Sequence, residues 1–189
     1  MKIDGKGQAS VFEGNDFTKL MSCLSLKYAL IFRIAYYTAG RTGEVVRLPA
    51  SCVYSSTGEV LPEITYWSEI TKDQETRAVP VASSLKFYLE HYWNFGKPQG
   101  FYLFPGKHPD SHLQFQSADD ALRRAIKKAG LSDKGYSCHS FRRSAITRMS
   151  EAGTSLKVVQ EITGHDDLKN LQRYIDVTTK QKEGAIATL

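Results

Sequence analysis

The stretch from Cys138 to Val177 reads CHSFRRSAITRMSEAGTSLKVVQEITGHDDLKNLQRYIDV. In it, His139 stands three residues before Arg142, and Tyr174 stands nine residues after His165. Arginine offers a planar fork of donors to phosphate oxygens, histidine can donate to the same oxygens, and a tyrosine hydroxyl can attack phosphorus. No thiolate or carboxylate cluster accompanies these side chains, so the pattern indicates phosphate chemistry rather than a metal site.

Capping residues and glycines divide this stretch into three predicted helices, at about residues 140–152, 155–162 and 168–177. His139 and Arg142 lie at the start of the first helix, beside free backbone N–H groups and the positive end of the helix dipole. That position suits a phosphate. Taken alone, Tyr174 is more typical of a core tyrosine whose hydroxyl reaches the surface.

Two further basic residues stand apart from this stretch. Arg41 lies at the junction of two apolar predicted helices, where an unpaired buried guanidinium would be costly. Two interpretations stay open: an ion pair with Glu44 on the next turn, or an arginine that points into an anion site with Glu44 orienting it. Lys72 falls in a polar turn between predicted strands. A lysine there is usually solvated, although on a mobile loop it can deliver a proton to a substrate.

The middle of the chain changes from helical to strand periodicity. Three β-prone runs separated by turn residues cover residues 52–54, 64–67 and 78–81. They predict a small antiparallel sheet. Apolar residues recur at helical spacing through most of the remaining chain. The sequence therefore predicts an α+β fold that is mostly helical and carries a three-stranded antiparallel sheet.

Composition bounds the class of protein. The 189 residues suit one sizeable domain, and the formal net charge of +5 favours a polyanionic partner. Three widely spaced cysteines indicate a reducing compartment with no disulfide framework. The longest apolar run, around residues 29–37, is interrupted by Arg33 and is too short to span a bilayer. The N-terminus lacks a secretory pattern, so we expect a cytoplasmic protein without a membrane partner.

One predicted helix, residues 117–130, carries four basic residues that stack in pairs one turn apart: Arg123 with Lys127, and Arg124 with Lys128. A basic helix face is either solvated or follows a DNA backbone, and the sequence leaves both interpretations open.

Together, these motifs resemble the catalytic domain of the tyrosine recombinases, the phage-integrase family. They are TAGRTGE at residues 38–44, TK at 71–72 with RAVPV at 77–81, HSFR at 139–142, and TGH at 163–165 followed by Tyr174 at the family's spacing. The likeness predicts a tyrosine recombinase/integrase catalytic fold over residues 16–177. An N-terminal arm over 1–15 would precede it, and a tail over 178–189 would dock on a neighbouring protomer.

The resemblance implies a covalent reaction at phosphorus. Tyr174 would attack a scissile DNA phosphate, forming a 3′-phosphotyrosyl bond and releasing a 5′-hydroxyl. Arg41 and Arg142 would hold the non-bridging oxygens, and His165 would donate to the same phosphate. Because fixed cations would stabilise the developing charge, no metal or cofactor is expected.

The resemblance also assigns the proton transfers. Lys72 would protonate the leaving 5′-oxygen, and His139 would assist proton transfer at the tyrosine. Glu44 would support Arg41. Arg143 stands where the family commonly has histidine, and it joins the four basic residues of helix 117–130 as a candidate contact to the DNA backbone.

The predicted function is site-specific recombination, that is, integration, excision or inversion of DNA. The predicted partners are double-stranded DNA, further copies of the chain in a tetramer on DNA, and accessory DNA-bending proteins, with a nucleoid-associated location. The helical core-binding domain that normally precedes the catalytic domain has no counterpart in these 189 residues. Two alternatives stay open: a type IB topoisomerase, and an inactive DNA-binding remnant of a mobile element. The Gly164-His165 motif favours the recombinase, and the presence of all six expected residues argues against a decayed site.

Overall fold

The computed structural model describes residues 8–96, 98, 100–108, 110–167, 171, 183, 186 and 187. Within these residues, helices predominate and two short strands form the sheet, which confirms the α+β prediction. The elements in chain order are α1 (Asp16–Ser22), α2 (Leu26–Tyr37), α3 (Thr42–Val45), a 3-10 turn (Ala50–Cys52), β1 (Glu63–Tyr66), β2 (Arg77–Pro80), α4 (Ser83–Gly96), α5 (Phe115–Lys128), a second 3-10 turn (Ser132–Lys134), α6 (Cys138–Glu151) and α7 (Leu156–Thr163).

Helix α2 is the centre of the fold. Five of its residues are buried because α4 and α6 pack against different sides of it. The Phe32 ring of α2 stacks on the Phe141 ring of α6, with ring centroids 4.8 Å apart and planes inclined by 19°. Phe141 is fully buried in this contact, and Arg142 is the next residue of α6.

The sheet has two strands among the described residues, so the prediction of three strands is wrong. Strands β1 and β2 pair antiparallel, with Glu63 opposite Pro80 and Tyr66 opposite Arg77. The predicted strand over residues 52–54 instead follows a 3-10 turn. There the amide of Cys52 donates to the carbonyl of Pro49, and the amide of Tyr54 to that of Ala50. These local bonds use the donors that a strand would need. Tyr54 makes only an isolated bridge to Val60.

The predicted N-terminal arm is partly packed. Phe12 is buried, its backbone N–H donates to Ser144 Oγ at 2.9 Å, and its ring lies 4.8 Å from that of Phe141. Residues 8–15 therefore belong to the folded domain, and the rest of the arm lies outside the described residues. Apart from single positions, the predicted helix over 168–177 and the tail over 178–189 also lie outside them. No helix in the described part of the chain is long and apolar enough to cross a membrane.

Candidate active site

Arg142 joins two helix ends. It lies in the second turn of α6 and is buried, and its Nη1 donates to the carbonyl of Ala39 at 2.7 Å and to that of Thr163 at 2.9 Å. Thr163 is the last residue of α7, so its carbonyl lies at the negative end of that helix, and Ala39 lies in the turn that follows α2. Ala39 has a positive φ of 49°, an uncommon conformation for a residue with a side chain. The guanidinium therefore fixes the two loops that carry Arg41 and His165.

Glu44 lies between two guanidinium groups. It is buried, its Oε1 accepts from Arg41 Nη1 at 2.8 Å, and its Oε2 accepts from Arg77 Nη2 at 2.5 Å. Its Oε2 also accepts from the backbone N–H of Arg41 at 3.2 Å, which caps α3. Burial raises the pKa of the Glu44 carboxyl, but the charge of Arg77 and the hydrogen bonds from Arg41 and Arg77 outweigh this effect and lower it below its usual range. Glu44 is therefore ionised, and the predicted Arg41–Glu44 ion pair is present.

Asp73 is a second carboxylate at Arg41. Its Oδ2 lies 2.7 Å from Arg41 Nη1, and the two groups form an ion pair. Burial lowers the pKa of Arg41, but Glu44 and Asp73 outweigh this effect and raise it above the usual value. The Arg41 side chain remains 25% exposed.

His165 follows the glycine that ends α7. Gly164 has a φ of 61°, the left-handed conformation typical of a residue that stops a helix. His165 Nδ1 lies 2.7 Å from Thr163 Oγ1, and its Nε2 lies 3.1 Å from Arg142 Nη2. Because the Thr163 hydroxyl donates to the carbonyl of Val159, we assign the imidazole proton to Nδ1, which leaves Nε2 to accept from Arg142.

The surroundings of His165 disfavour its charged form. Burial, followed by the charges of Arg142 and Arg41, lowers the pKa of His165 from 6.5 to about 4. The imidazole is therefore neutral at pH 7 in this structure. Beside it, a cavity of about 360 Å³ is bordered by Asp73, Arg77 and Gly164. Arg77 and Lys157 border this cavity together with four carboxylates, those of Asp73, Glu75, Glu161 and Asp166.

In the structure Arg41 pairs with Glu44, Arg142 contacts His165, and the charge of Arg41 acts on His165, while the catalytic roles of these residues stay predictions. Lys72 is exposed next to Asp73 in the turn between the strands. His139 is exposed in the first turn of α6. Tyr174 lies outside the described residues. Among the residues that the structure describes, no group of three or more His, Cys, Asp or Glu side chains could hold a metal ion.

The candidate DNA-backbone residues lie on two surfaces. All four basic residues of α5 are exposed, since that helix buries its opposite, apolar face. Arg123 Nε donates to Asp119 Oδ2 at 2.6 Å, and Asp119 Oδ1 accepts from Cys138 Sγ at 3.3 Å, which links α5 to the start of α6. Arg143 instead contacts the N-terminal segment, where its Nη1 donates to Gln8 Oε1 at 2.5 Å.

Two residues at the site were assigned no role in the sequence analysis, namely Asp73 and Arg77. The sequence did contain a signal for Arg77. In β2, Arg77 and Val79 are buried while Ala78 and Pro80 are exposed, so alternation places the arginine on the inward face of the sheet. A charged side chain at an inward position requires a buried partner. Asp73 lies in an irregular turn, where no periodicity indicates its direction.

Comparison with known proteins finds curated relatives that are tyrosine recombinases. The chain is 28% identical over 165 residues to tyrosine recombinase XerD of Rickettsia bellii, covering 82% of this chain and 53% of that protein. It is 32% identical over 117 residues to tyrosine recombinase XerA of Pyrococcus horikoshii, covering 61% of this chain and 40% of that protein. The chain thus spans about half the length of these curated relatives.

Solved structures share the fold. A XerH site-specific recombinase bound to its difH substrate superposes with a TM-score of 0.73 at 21% identity, over 98% of this chain and 55% of that one. The Tn1549 transposon integrase in complex with a circular intermediate DNA gives a TM-score of 0.76 at 15% identity, over 98% and 68% of the two chains. The family model of the phage integrases matches residues 11–181, nearly the whole chain. The chain belongs to the phage integrase family.

Proposed function

We propose that this chain is the catalytic domain of a site-specific DNA recombinase. In this proposal Tyr174 attacks a scissile phosphate of double-stranded DNA, and the bond from phosphorus to the tyrosyl oxygen forms as the bond from phosphorus to the 5′-oxygen breaks. The product is a 3′-phosphotyrosyl enzyme and a free 5′-hydroxyl. The phosphodiester energy is stored in the covalent bond, so attack by a 5′-hydroxyl of another strand completes the exchange without an energy source.

The single observation that carries the proposal is the convergence of Arg41, Arg142 and His165. These residues come from three separate segments and meet through the bonds of Arg142 to Ala39, Thr163 and His165. Two guanidinium groups whose charges both act on His165 supply the fixed positive charge that a pentacoordinate phosphate requires. Such preorganised groups stabilise developing charge without reorganisation during the reaction.

The proton transfers follow from the assigned roles. Lys72 is exposed on the turn beside Asp73, from which it can reach over a bound strand and give its proton to the leaving 5′-oxygen. His139 takes part in removing the proton of Tyr174 from the first turn of α6. The negative charge of a bound phosphate opposes the charge of Arg142 and raises the pKa of the His165 imidazole, so that His165 can then donate a hydrogen bond to the phosphate.

The proposal extends to the assembly. Double-stranded DNA is the partner, and the exposed basic residues of α5, with Arg143, are proposed to contact its backbone. Recombination joins two duplexes at four strands, so four copies of the chain on DNA supply one tyrosine for each strand. The tail over residues 178–189 is proposed to dock on the neighbouring copy, and accessory DNA-bending proteins and a nucleoid location remain part of the same hypothesis.

The test is a covalent trapping experiment. The protein is incubated with nicked suicide duplexes drawn from the DNA that flanks its own gene, and a denaturation-resistant protein–DNA adduct is sought. We expect an adduct that maps to Tyr174 and is absent from Tyr174→Phe, while that variant keeps the fold and non-covalent DNA binding of the wild type. DNA binding without an adduct on any substrate would contradict the proposal. Relaxation of any supercoiled plasmid without a defined site would indicate a topoisomerase instead.

A further inference from the structure

We infer that Arg77 is a positioning residue for the phosphate site, which holds Arg41 in place through the carboxylate of Glu44 and supports His165 through Gly164. The inference rests on the proposed function, because it assigns a role within that site. Three independent contacts of the Arg77 side chain carry it.

The first contact is the shared carboxylate. Arg77 Nη2 and Arg41 Nη1 bind different oxygens of Glu44, so the position of one guanidinium fixes that of the other. Without Arg77, Glu44 Oε2 would keep only the backbone N–H of Arg41, at 3.2 Å. The carboxylate could then rotate and carry the Arg41 guanidinium with it. Binding of non-bridging phosphate oxygens is sensitive to such shifts, since a misplacement of about 1 Å can cost about 100-fold in rate.

The second contact is a stack on Tyr66. The guanidinium carbon of Arg77 lies 4.3 Å from the centroid of the Tyr66 ring, which is fully buried. The Tyr66 hydroxyl bonds Thr38 Oγ1 at 2.7 Å, and the same Thr38 oxygen accepts from the backbone N–H of Gly40 at 3.3 Å. The stack therefore ends in the turn that immediately precedes Arg41. Arg77 thus supports the side chain of Arg41 through Glu44, and it supports the backbone just before Arg41 through Tyr66 and Thr38.

The third contact reaches the other half of the site. A methyl group added to Gly164 would lie 3.1 Å from Arg77 Cδ and 3.2 Å from its Nη1, so the arginine side chain packs directly on this glycine. His165 follows it, and both border the same cavity as Arg77. The side chain thus contacts the supports of both a phosphate-binding arginine and the phosphate-binding histidine.

Stability alone does not explain a guanidinium at this position. Arg77 is about nine-tenths buried, and its Nε has no hydrogen-bond partner within the part of the chain that the structure describes. An apolar side chain packed in place of a buried ion pair is often as stable or more stable. The planar fork and the aromatic stack are the two features that distinguish arginine from such a replacement, and they are the features that orient Glu44.

The chain offers a matched control in Arg33. Its guanidinium carbon lies 3.8 Å from the centroid of the Tyr88 ring, and its Nε is likewise buried without a hydrogen-bond partner within the described residues. It therefore shares the aromatic stack and the unbonded buried Nε of Arg77, although Arg33 as a whole is only half-buried. No described ion pair joins Arg33 to a carboxylate of the site. Replacing it separates the loss of a stacked arginine from the loss of the positioning contact.

The experiment compares Arg77→Gln, Arg77→Lys and Arg33→Gln with the wild type. The measured quantities are the rate of adduct formation at saturating suicide duplex and the affinity for the same duplex. We expect Arg77→Gln to lower the rate by about 10–100-fold, by analogy with the loss found when a residue that orients a metal ligand is removed. We expect its DNA affinity to change less than about twofold, since Arg77 does not itself bind the phosphate. Arg77→Lys should recover part of the rate, and Arg33→Gln should leave the rate unchanged.

A second readout needs no DNA. Resonances of the Arg41 guanidinium and the Glu44 carboxyl are followed by NMR, and in Arg77→Gln the pKa of Glu44 should rise because its largest lowering influence is gone. Adduct formation at the wild-type rate in a folded Arg77→Gln overturns the inference. So does an Arg41 resonance that Arg77→Gln leaves unchanged. If the wild type forms no adduct, the proposed function fails by itself, and the NMR readout still decides the role of Arg77.

Discussion

Asp73 Oδ2 lies 2.7 Å from Nη1 of Arg41. The same nitrogen is 2.8 Å from Glu44 Oε1, so a single guanidinium nitrogen contacts two carboxylates. Glu44 is buried and bonded on both oxygens, whereas Asp73 sits in a turn and borders the cavity. A phosphate oxygen arriving at Arg41 would therefore compete with Asp73 and not with Glu44.

We expect Asp73→Asn to increase the affinity of the site for phosphate. The replacement removes the competing charge at Arg41, and a partly exposed ion pair contributes about 0.2–1 kcal/mol, which corresponds to a gain of up to about fivefold. The measurement is the dissociation constant for a short duplex by fluorescence anisotropy at fixed salt. Asp133→Asn, which makes the same change of charge in the second 3-10 turn, serves as the control. Equal gains in both variants would mean that only the net charge matters.

Arg142→Ala should impair both catalysis and stability. Removing one charge-stabilising donor elsewhere costs about 10²–10³-fold in rate, and we expect at least that loss in adduct formation. The carbonyls of Ala39 and Thr163 also lose their donor, which should lower the free energy of unfolding by about 3 kcal/mol. Urea denaturation and suicide-substrate kinetics measure the two effects. Adduct formation by Arg142→Ala at the wild-type rate would contradict the role assigned to this arginine.

His165 makes the stability of the protein dependent on pH. Its pKa of about 4 in the folded protein is below the ordinary value of 6.5, so the unfolded chain binds the proton more tightly. Its contribution to stability is therefore complete above about pH 6.5 and is lost as the pH falls from 6.5 towards 4. We expect the wild type to lose more unfolding free energy than His165→Gln between pH 7 and pH 5. Parallel pH profiles for the two proteins would argue against the shifted imidazole.

The same imidazole should couple DNA binding to proton uptake. A phosphate beside His165 opposes the charges of Arg142 and Arg41 and raises the pKa of the imidazole. Near pH 5.5 we expect the wild type to take up protons on binding a duplex, and His165→Gln to take up fewer. Calorimetric titration in buffers of different ionisation enthalpy gives the number of protons directly. Equal uptake by both proteins would place the titrating group elsewhere.

Gly164→Ala should slow adduct formation by more than the strain of a left-handed alanine alone would explain. The residue has a φ of 61°, and a methyl group there would also press on Arg77 Cδ at 3.1 Å. Gly153→Ala is the matched control, because Gly153 has a φ of 78° and nothing lies within 4 Å of the added methyl. Both variants should lose about 1 kcal/mol of stability from the left-handed conformation. Only Gly164→Ala should slow adduct formation, and equal rates in the two variants would show that the Arg77 contact is unimportant.

Local sequence patterns predicted much of this domain correctly. Apolar spacing and capping residues indicate the helices, and Gly164 marks the end of α7 ahead of His165 because a left-handed residue stops a helix. The Arg41–Glu44 pair was also predictable, since residues three apart face each other across one helical turn. The strand predicted over residues 52–54 was wrong because β-propensity reports a fit to a pleated surface, and backbone bonds within the preceding turn prevailed here.

By itself, the sequence determined the α+β class, the helix ends and the motif spacing that indicates phosphate chemistry, because each depends on neighbours within a turn or two of the chain. The tertiary structure decided the rest. It brought Asp73 and Arg77, more than 28 residues beyond Glu44, into contact with the Arg41–Glu44 pair. It also placed Arg142 within hydrogen-bond distance of the carbonyls of Ala39 and Thr163. Such contacts depend on how α2, α6 and the strand pair pack together. No local pattern contains that information, since the free energy that fixes it comes from burial of the shared core.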